Sequence, residues 1–467
     1  MLKIYNTLSG KVEALSPIKK GKVNLFVCGP TVYDYSHIGH ARTYVAFDMF
    51  ANYLKHLGFD VFYLQNITDI DDKIIKRAKE NNINPKELAF QFEKEYMADM
   101  KNLQVKSVKK YARATRHIKQ IISQVERLFS LGFAYQLSDG IYYDVSKFPE
   151  YGKLSNRDGQ IAEASFSRID ESVEKKNKAD FCLWKLALSE AEGFEPSWPS
   201  PWGKGRPGWH IEDTAITEKY FGPQYDIHGG ARDLIFPHHE AEISQMEAIS
   251  GKSPLVKYWM HTGFLTINSQ KMSKSLGNFI TIRNFLKENS PQALRMFILS
   301  SHYRSPIDLK DSSIIEAKAN VEKLQDLIAM LEKVVNGGPS PVSPVLNKLQ
   351  EKFWQELEDD FNTPKAKAVL FEMVALANEK IIKNELAKTE AKEILNFLKE
   401  INKIFLFLEF KKVKKVEIPN EIKKLTEERE KFRQAKDWQK ADELREQVEK
   451  LGYEIEDTGQ GAKVKKI

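Results

Sequence analysis

The spacing of apolar and polar positions near the N-terminus predicts a strand, a helix and a second strand. The apolar run over residues 23–28 ends at Gly29 and Pro30, as expected for a buried strand that enters a loop. From Ala41 onward apolar residues recur at near-helical spacing, Gly58 ends this element, and residues 61–64 form another apolar run. This succession indicates a parallel sheet with a crossover helix.

The following region predicts an interrupted domain. Residues 69–131 are mostly helical in pattern and highly charged, whereas residues 133–208 have few long periodic segments and many aromatic residues and prolines. A sheet-type pattern returns at about residue 225 and continues to about residue 309. We therefore expect the fold class α/β, with a Rossmann-type parallel-sheet domain over residues 1–310 and an insertion at about 133–208.

Strand patterns disappear after Asp311. Apolar residues then follow the spacing of three and four that marks one helix face, at Val321, Leu324, Leu327, Ile328 and Leu331. Residues 337–344 are rich in Gly, Pro and Ser and resemble a linker, and a lysine-rich segment at 411–415 marks a second boundary. An all-α region at 311–410 and a small C-terminal unit at 411–467 are predicted.

Composition excludes several classes of protein. A chain of 467 residues that is 42% hydrophobic can bury large cores in roughly three domains, so it is not a small disulfide-rich scaffold. It has two cysteines, Cys28 and Cys182, and no signal-like N-terminus or membrane-length apolar run, which predicts a reducing, cytoplasmic location and no membrane contact. The net charge of +6 is compatible with nucleic acid but does not require it.

Two histidines flank a glycine at the predicted start of the first helix. His37 and His40 are three residues apart, and Gly39 lies between them. A helix N-terminus offers unpaired N–H groups to an anion, glycine permits close approach of a nucleotide, and imidazoles donate to phosphate oxygens. A helix that begins by chance with two histidines is about equally compatible with these residues alone.

A second segment with suitable chemistry occurs far downstream, at residues 270–278. Its two lysines, Lys271 and Lys274, have the spacing expected of groups that neutralise a triphosphate. A single Lys-x-x-Lys is more often a solvated turn. The occurrence of both segments, in this order and on a predicted parallel sheet, resembles the two signatures of class I aminoacyl-tRNA synthetases.

Further motifs resemble one family within that class, the cysteinyl-tRNA synthetases. The resemblance covers nearly the whole chain, including two motifs in its C-terminal third. The segments concerned are FVCGPTVYD at 26–34, NITDIDDK at 66–73, SWPSPWG at 197–203, GWHIE at 208–212, DIHGG at 226–230, FPHHE at 236–240, DFNTP at 360–364, AKDW at 435–438 and DTGQG at 457–461.

The resemblance implies a reaction in two steps, in which cysteine and ATP form cysteinyl adenylate and the cysteinyl group then passes to tRNA(Cys). Mg²⁺ is expected with the ATP. His37 and His40 are implied to bind ATP and to stabilise charge near the α-phosphate. Lys274, assisted by Lys271, is implied to hold the triphosphate and the departing pyrophosphate, so that positioning and electrostatics suffice without a covalent enzyme intermediate.

The family also implies a zinc ion that binds the substrate thiolate and so discriminates cysteine from serine. The candidate ligands are Cys28, Asp213, His238 and Glu242. Asp213 departs from the family pattern, which has a second cysteine directly after Trp-His-Ile-Glu. A carboxylate can bind zinc. With one thiolate fewer, however, the set of ligands is less soft in the sense of hard and soft donors, which affects the affinity for the metal and the identity of the metal. The alternative is that Asp213 caps a helix beginning near Thr214.

Other predictions concern the substrates. Thr68 and Trp209 match family positions that line the amino-acid pocket, although ordinary packing also explains them. The basic helical C-terminal third is implied to contact the stem and anticodon of tRNA, with Arg433, Lys436, Trp438 and Lys440 as candidates in the end unit. Cys182, among large apolar neighbours, is expected to be structural.

Two other functions remain compatible with the sequence. One is a synthetase paralogue that transfers activated cysteine to a small amine, although such an acceptor needs no long helical region. The other is a non-catalytic tRNA-binding protein, in which the signature residues would be expected to have decayed, whereas His37, His40, Lys271 and Lys274 are all present. The absence of coiled-coil heptads favours a monomer.

Overall fold

The structure, a computed structural model, describes residues 1–156, 174–187, 194–272, 277–334, 344–410, 419–458 and 461–466. Within these ranges the chain forms two compact units, Met1–Leu408 and Glu409–Ile467. None of the described helices combines the length and the apolar character that are needed to cross a membrane.

The first unit contains fourteen strands among its described residues. They are β1 (Lys3–Asn6), β2 (Lys11–Ala14), β3 (Lys22–Val27), β4 (Asp60–Ile67), β5 (Lys110–Arg113), β6 (Ala134–Gln136), β7 (Gly140–Tyr143), β8 (Phe181–Leu186), β9 (Gly205–Pro207), β10 (Tyr225–Ala231), β11 (Val256–Thr262), β12 (Leu265–Ile267), β13 (Gln270–Lys271) and β14 (Ile307–Leu309).

The described α-helices of this unit lie between these strands and after them. They are α1 (Ile38–His56), α2 (Asp72–Glu80), α3 (Pro85–Asn102), α4 (Ile118–Ser130), α5 (Ile211–Phe221), α6 (Glu240–Ser250), α7 (Ile282–Glu288), α8 (Pro291–Leu299), α9 (Asp311–Leu331), α10 (Pro344–Glu358), α11 (Thr363–Ile382) and α12 (Lys388–Phe405).

The central sheet has five parallel strands in the order β11-β10-β3-β4-β5. The predicted first two strands, β3 and β4, are neighbours, and α1 connects them. The later part of the chain adds β10 to the other side of β3. The strand order therefore reverses beside β3, and in such sheets ligands bind in the crevice at the carboxyl ends of the strands. The predicted α/β fold with a Rossmann-type sheet is confirmed.

Residues 134–207 contribute a separate antiparallel sheet, in the order β6-β7-β8-β9. Its strands share a hydrophobic core with α4 and α5, in which Trp184, Ile121 and Ile211 are fully buried. Cys182 lies in β8 and is buried against Tyr135 and Tyr142. The mixed pattern of this part of the sequence thus reflects short antiparallel strands between the parallel ones.

The sheet-type pattern at 225–309 forms two structures, whereas the sequence suggested one block. Of the strands described in this range, β10 and β11 join the parallel sheet, and β13, β12 and β14 form a small sheet of their own. After β11 the backbone N–H of Gly263 donates to the carbonyl of Tyr303, so the chain turns away to pair with the segment that ends at β14.

A buried ion pair connects α8 to α1 and also contacts α12, the last helix of this unit. Arg295 on α8 donates to Asp48 on α1 at 2.9 Å, and both side chains are fully buried. The guanidinium also donates to the carbonyls of Leu103 and Phe405 at 3.1 and 2.7 Å. Because each guanidinium nitrogen donates to an oxygen, this pair connects α1, α3, α8 and α12 without leaving an unpaired charge.

The second unit consists of α13 (Asn420–Gln434), α14 (Trp438–Lys450) and the hairpin β15 (Tyr453–Thr458) and β16 (Gly461–Lys466). Ile422, Val448 and Ile455 form its small core. Arg429 donates two hydrogen bonds of 2.8 Å to Asp457, which fixes α13 to the hairpin.

Candidate active site at the carboxyl ends of the parallel strands

The N-terminus of α1 holds the two predicted histidines. His37 is the N-cap, and its Nδ1 accepts from the backbone N–H of His40 at 3.3 Å. In return, Nδ1 of His40 accepts from the N–H of His37 at 3.2 Å. The two rings stack at 3.8 Å between centroids, and both are half-buried. Burial lowers the pKa of His40 well below its ordinary value, and His37 adds to this effect, so His40 is neutral at pH 7.

Gly39 is required at this helix start because a Cβ there would lie 2.8 Å from Nδ1 of His37. The same Cβ position lies 3.5 Å from the side chain of Met272. The backbone on the other side of residues 273–276 also returns to α1, since the N–H of Ile38 donates to the carbonyl of Ile280 at 3.1 Å. The structure therefore brings both ends of the lysine-bearing segment to the predicted nucleotide site.

Of the two predicted lysines, Lys271 is among the residues that the structure describes and Lys274 is not. Lys271 lies in β13, is exposed, and pairs through its backbone with Thr266. Lys274 lies outside the described residues, so its role remains a prediction from the sequence.

The four predicted metal ligands form one buried cluster. Cys28 follows β3, Asp213 lies in the first turn of α5, His238 lies two residues before the start of α6, and Glu242 lies within α6. Sγ of Cys28 is 3.5 Å from Oδ2 of Asp213, which is 3.1 Å from Nε2 of His238. That nitrogen is 3.4 Å from Oε1 of Glu242, and Oε1 is 4.0 Å from Sγ.

These separations suit a tetrahedral metal ion. With metal–ligand bonds of about 2.0–2.3 Å, the ligand atoms of a tetrahedral zinc site are about 3.3–3.6 Å apart. Burial raises the pKa of the Cys28 thiol, and the neighbouring carboxylates of Asp213 and Glu242 raise it further. In addition, Oδ1 of Asp213 and Oε2 of Glu242 are buried and have no hydrogen-bond partner among the residues that the structure describes. A divalent cation would balance this excess of negative charge, so the residues fit zinc.

Two further histidines adjoin the cluster, and the sequence analysis did not assign them. Nε2 of His228 and Nε2 of His239 lie 3.3 and 3.1 Å from Sγ of Cys28, and together with Glu242 they complete a second set of four potential ligands. His239 also contacts His261, whose pKa burial lowers to about 3. The sequence signal was present, because His228 belongs to the quoted segment DIHGG and His239 to the segment FPHHE, where it follows His238 directly.

The alternative explanation of Asp213 as a helix cap is wrong. Helix α5 begins at Ile211 with His210 as its N-cap, so Asp213 is already inside the first turn. Its side chain is buried against Cys28 and His238 and does not accept from the following backbone N–H groups.

Thr68 and Trp209 lie beside this cluster. The Trp209 ring stacks on His238 with 4.3 Å between centroids. Oγ1 of Thr68 donates to Oε2 of Glu212 at 2.9 Å and accepts from Nδ2 of Asn66 at 3.3 Å. Trp209 also borders a cleft that extends to Lys73. The structure thus places both predicted substrate residues next to the predicted metal ligands.

Two residues of this network are absent from the sequence-based predictions. Asn66 accepts from the N–H of Gly29, next to Cys28, and Glu212 receives the Thr68 hydroxyl, next to Asp213. Burial raises the pKa of Glu212 well above its ordinary value, and the charge of Asp213 contributes. Glu212 belongs to the quoted Gly-Trp-His-Ile-Glu motif, but nothing in its local spacing distinguishes a pocket carboxylate from a helix-start residue.

In the end unit, the predicted RNA-contacting side chains differ in their surroundings. Trp438 is 58% exposed, which leaves its ring accessible for stacking. Arg433 pairs with Asp457, and Lys440 lies 3.3 Å from Asp437.

Comparison with known proteins agrees with this arrangement. Residues 14–319 match the tRNA synthetases class I (C) catalytic domain, residues 352–409 the DALR domain, and residues 415–464 the cysteinyl-tRNA ligase anticodon binding domain. The chain is 44% identical to a cysteine--tRNA ligase of Thermococcus gammatolerans, with 100% of this chain and 99% of the relative covered. It is 46% identical to one of Thermoplasma volcanium, with 98% of each covered.

Solved structures show the same fold at much lower identity. Methionyl-tRNA synthetase of Mycobacterium tuberculosis, in complex with methionyl-adenylate, gives a TM-score of 0.61 at 16% identity over 82% of this chain and 89% of that one. LeuRS of Agrobacterium radiobacter, in a ternary complex, gives 0.64 at 10% identity over 84% and 85%. By its full-length relatives and its catalytic and anticodon-binding domains, the chain belongs to the cysteinyl-tRNA synthetase family of class I aminoacyl-tRNA synthetases.

Proposed function

We propose that this protein is a cysteine--tRNA ligase, which activates L-cysteine with ATP and transfers the cysteinyl group to tRNA(Cys). The observation that supports this most directly is the buried cluster of Cys28, Asp213, His238 and Glu242 beside Trp209, at the crevice where strand order reverses. The N-terminus of α1 suits the phosphates of ATP, and the cluster of potential metal ligands suits the thiol of cysteine. Both lie at the same edge of the sheet, as the two substrates of the activation step require.

In the activation step the carboxylate of cysteine attacks the α-phosphorus of ATP, and pyrophosphate leaves. His37 and His40 hydrogen-bond the phosphate oxygens as negative charge develops, and the N-terminus of α1 stabilises the same charge. Lys274, assisted by Lys271, neutralises the leaving pyrophosphate, and Mg²⁺ accompanies the ATP. Because His40 is neutral, it acts as a hydrogen-bond donor rather than as a second cation.

We propose zinc as the resident metal, held by Cys28, Asp213, His238 and Glu242. When bound, this ion supplies a Lewis acid for the substrate thiolate, which a serine hydroxyl of high pKa cannot match. Around it, the Trp209 ring stacks on His238 and holds the orientation of that imidazole. The Thr68 hydroxyl and the surrounding buried side chains exclude water from the amino-acid pocket.

The second step uses the C-terminal regions. The helices over residues 311–410 contact the tRNA stem, and the unit over 411–467 contacts the anticodon, where the exposed Trp438 offers a stacking surface and Arg433, Lys436 and Lys440 offer positive charge. The boundaries of these domains are part of the proposal, as are a monomeric state and a reducing, cytoplasmic environment for Cys28.

The test is cysteine-dependent exchange between ATP and pyrophosphate in zinc-loaded, reduced protein without tRNA, followed by cysteinylation of a tRNA(Cys) transcript. The proposal expects both activities, and their loss in His40→Asn excludes a contaminating enzyme. Absence of exchange would reject both enzymatic hypotheses, the tRNA ligase and the paralogue with a small-molecule acceptor. A non-catalytic tRNA-binding protein would then remain. Exchange with transfer to a small amine, but not to tRNA, would identify the paralogue instead.

A further inference from the structure

One buried carboxylate adjoins the cluster of potential metal ligands without belonging to it. Glu212 is fully buried, and its Oε1 has no hydrogen-bond partner among the described residues. The residue belongs to neither set of potential metal ligands, although Asp213 beside it belongs to one. An unpartnered buried carboxylate oxygen costs free energy unless a ligand supplies a donor.

The charges around Glu212 specify what kind of donor is required. The charged neighbours that most strongly raise the pKa of Glu212 are the carboxyl groups of Asp213, Asp71 and Asp69. Its described partner is neutral, the hydroxyl of Thr68, which occupies Oε2. A positively charged donor at Oε1 would therefore satisfy both the empty acceptor and the local excess of negative charge.

The position of Glu212 relates this donor to the thiol site. Glu212 precedes the predicted ligand Asp213 in α5, and through Thr68 and Asn66 it is connected to Gly29, next to the predicted ligand Cys28. The hydrogen-bonded chain thus begins and ends beside the metal cluster. In cysteine only two carbon atoms separate the sulfur from the nitrogen, so a thiol bound at the cluster brings the ammonium group near these residues.

Resting on the function proposed above, we infer that the Glu212 carboxylate binds the α-ammonium group of the amino-acid substrate, and that Thr68 positions this carboxylate. The amino acid is then held at two points, by its thiol at the metal and by its ammonium group at Glu212. Its carboxylate remains directed to the ATP, as the activation step requires.

The inference is tested with Glu212→Gln, which keeps an oxygen to accept from Thr68 but loses the negative charge. Loss of a charge-assisted hydrogen bond should weaken cysteine binding by about 10- to 100-fold. Two probes separate the substrate groups: cysteamine keeps the thiol and the ammonium group, and 3-mercaptopropionate keeps the thiol and the carboxylate. Binding is measured by calorimetric titration of zinc-loaded protein, with zinc content determined for each variant.

We expect Glu212→Gln to lower the affinity for cysteine and for cysteamine to a similar extent. The affinity for 3-mercaptopropionate should change by less than about threefold. Glu218→Gln is the matched control, because this glutamate lies on the same helix, pairs with Arg127 at 2.9 Å, and belongs to neither set of potential metal ligands. Glu212→Asp retains the charge and should give a smaller loss, confined to the same two ligands. It also serves if the glutamine variant does not fold.

Equal weakening of all three thiols, or unchanged cysteine affinity, would overturn the ammonium site. Either result, obtained on a wild type that performs cysteine-dependent exchange, leaves the proposed function intact. A wild type without exchange would instead reject the proposed function, and with it this assignment.

Discussion

Oδ2 of Asp213 lies 3.1 Å from Nε2 of His238, and both side chains are buried beside Cys28. In the cysteinyl-tRNA synthetases this position is usually a cysteine, so the carboxylate occupies the place of a thiolate. The geometry is compatible with an oxygen of Asp213 as the proposed ligand, because tetrahedral zinc sites accept Asp and Glu carboxylates alike.

Asp213→Ala should therefore lower zinc affinity by about 100-fold or more and reduce the preference for cysteine over serine. Asp213→Cys, which introduces the usual family residue, should retain both. Zinc content of the purified proteins and activation rates for the two amino acids provide the measurement. Equal zinc content and equal discrimination in wild type and the alanine variant would remove Asp213 from the site.

His37→Asn should distinguish the role of His37 as the N-cap of α1 from its proposed role in adenylate formation. Asparagine is a preferred N-cap residue, so the stability of α1 should be kept, whereas the imidazole that serves the phosphate is lost. We expect adenylate formation to fall on the order of 100-fold in single-turnover assays. His37→Ala should lose the same rate and, in addition, about 1 kcal/mol of stability in thermal unfolding. An asparagine variant with the wild-type rate would contradict a role for the imidazole.

Lys274→Ala should lower the rate of adenylate formation by about 100-fold or more and leave tRNA affinity nearly unchanged, because the ammonium group acts on phosphate charge. Pyrophosphate exchange and tRNA binding are measured on the same preparation. Lys252→Ala, at an exposed lysine elsewhere in the unit, is the control. If Lys274→Ala lost tRNA binding and kept exchange, the placement of its segment over the triphosphate would be wrong.

Arg295→Met should lower the free energy of unfolding by about 3–5 kcal/mol, because it leaves the buried carboxylate of Asp48 without its cation. The backbone carbonyls of Leu103 and Phe405 lose their donor as well. Denaturant unfolding measures the change, and Arg116→Met, at an exposed arginine, should cost less than about 0.5 kcal/mol. A loss of similar size in both variants would show that the ion pair is not the cause.

Asp99 should make stability depend on pH. Burial raises its pKa from 3.8 to about 6, against the opposing effect of Arg283 and with a contribution from Glu95. Between these two values the folded state binds more protons than the unfolded state, so the stability contributed by this group is present at low pH and is lost as pH rises through about 6.

Asp99→Asn cannot ionise at this position, so the loss of stability with rising pH should disappear in this variant. Relative to wild type, its free energy of unfolding should increase by about 1 kcal/mol between about pH 5 and about pH 7.5, with allowance for solvent screening. Urea unfolding at the two pH values measures it, and Asp60→Asn, at an exposed position, should show no such change. A difference between variant and wild type that does not grow with pH would exclude Asp99 as the source.

Local pattern was sufficient to predict much of this protein. The apolar periods of β3, α1 and β4 predicted a parallel sheet because residue spacing along a helix or strand determines which face is buried. Signature motifs singled out His37, His40 and the ligand candidates because their residue types have specific chemistry, and the family relationship was recognisable for the same reason.

Only the tertiary structure decided which distant residues meet. Cys28 and Glu242 come together because β10 pairs with β3 across some two hundred residues of chain, and no local period encodes strand order. The same packing brings His228 and His239 to the cluster and joins Glu212 to Thr68. It also showed that Asp213 lies inside α5, since a helix start depends on backbone geometry that one aspartate does not determine.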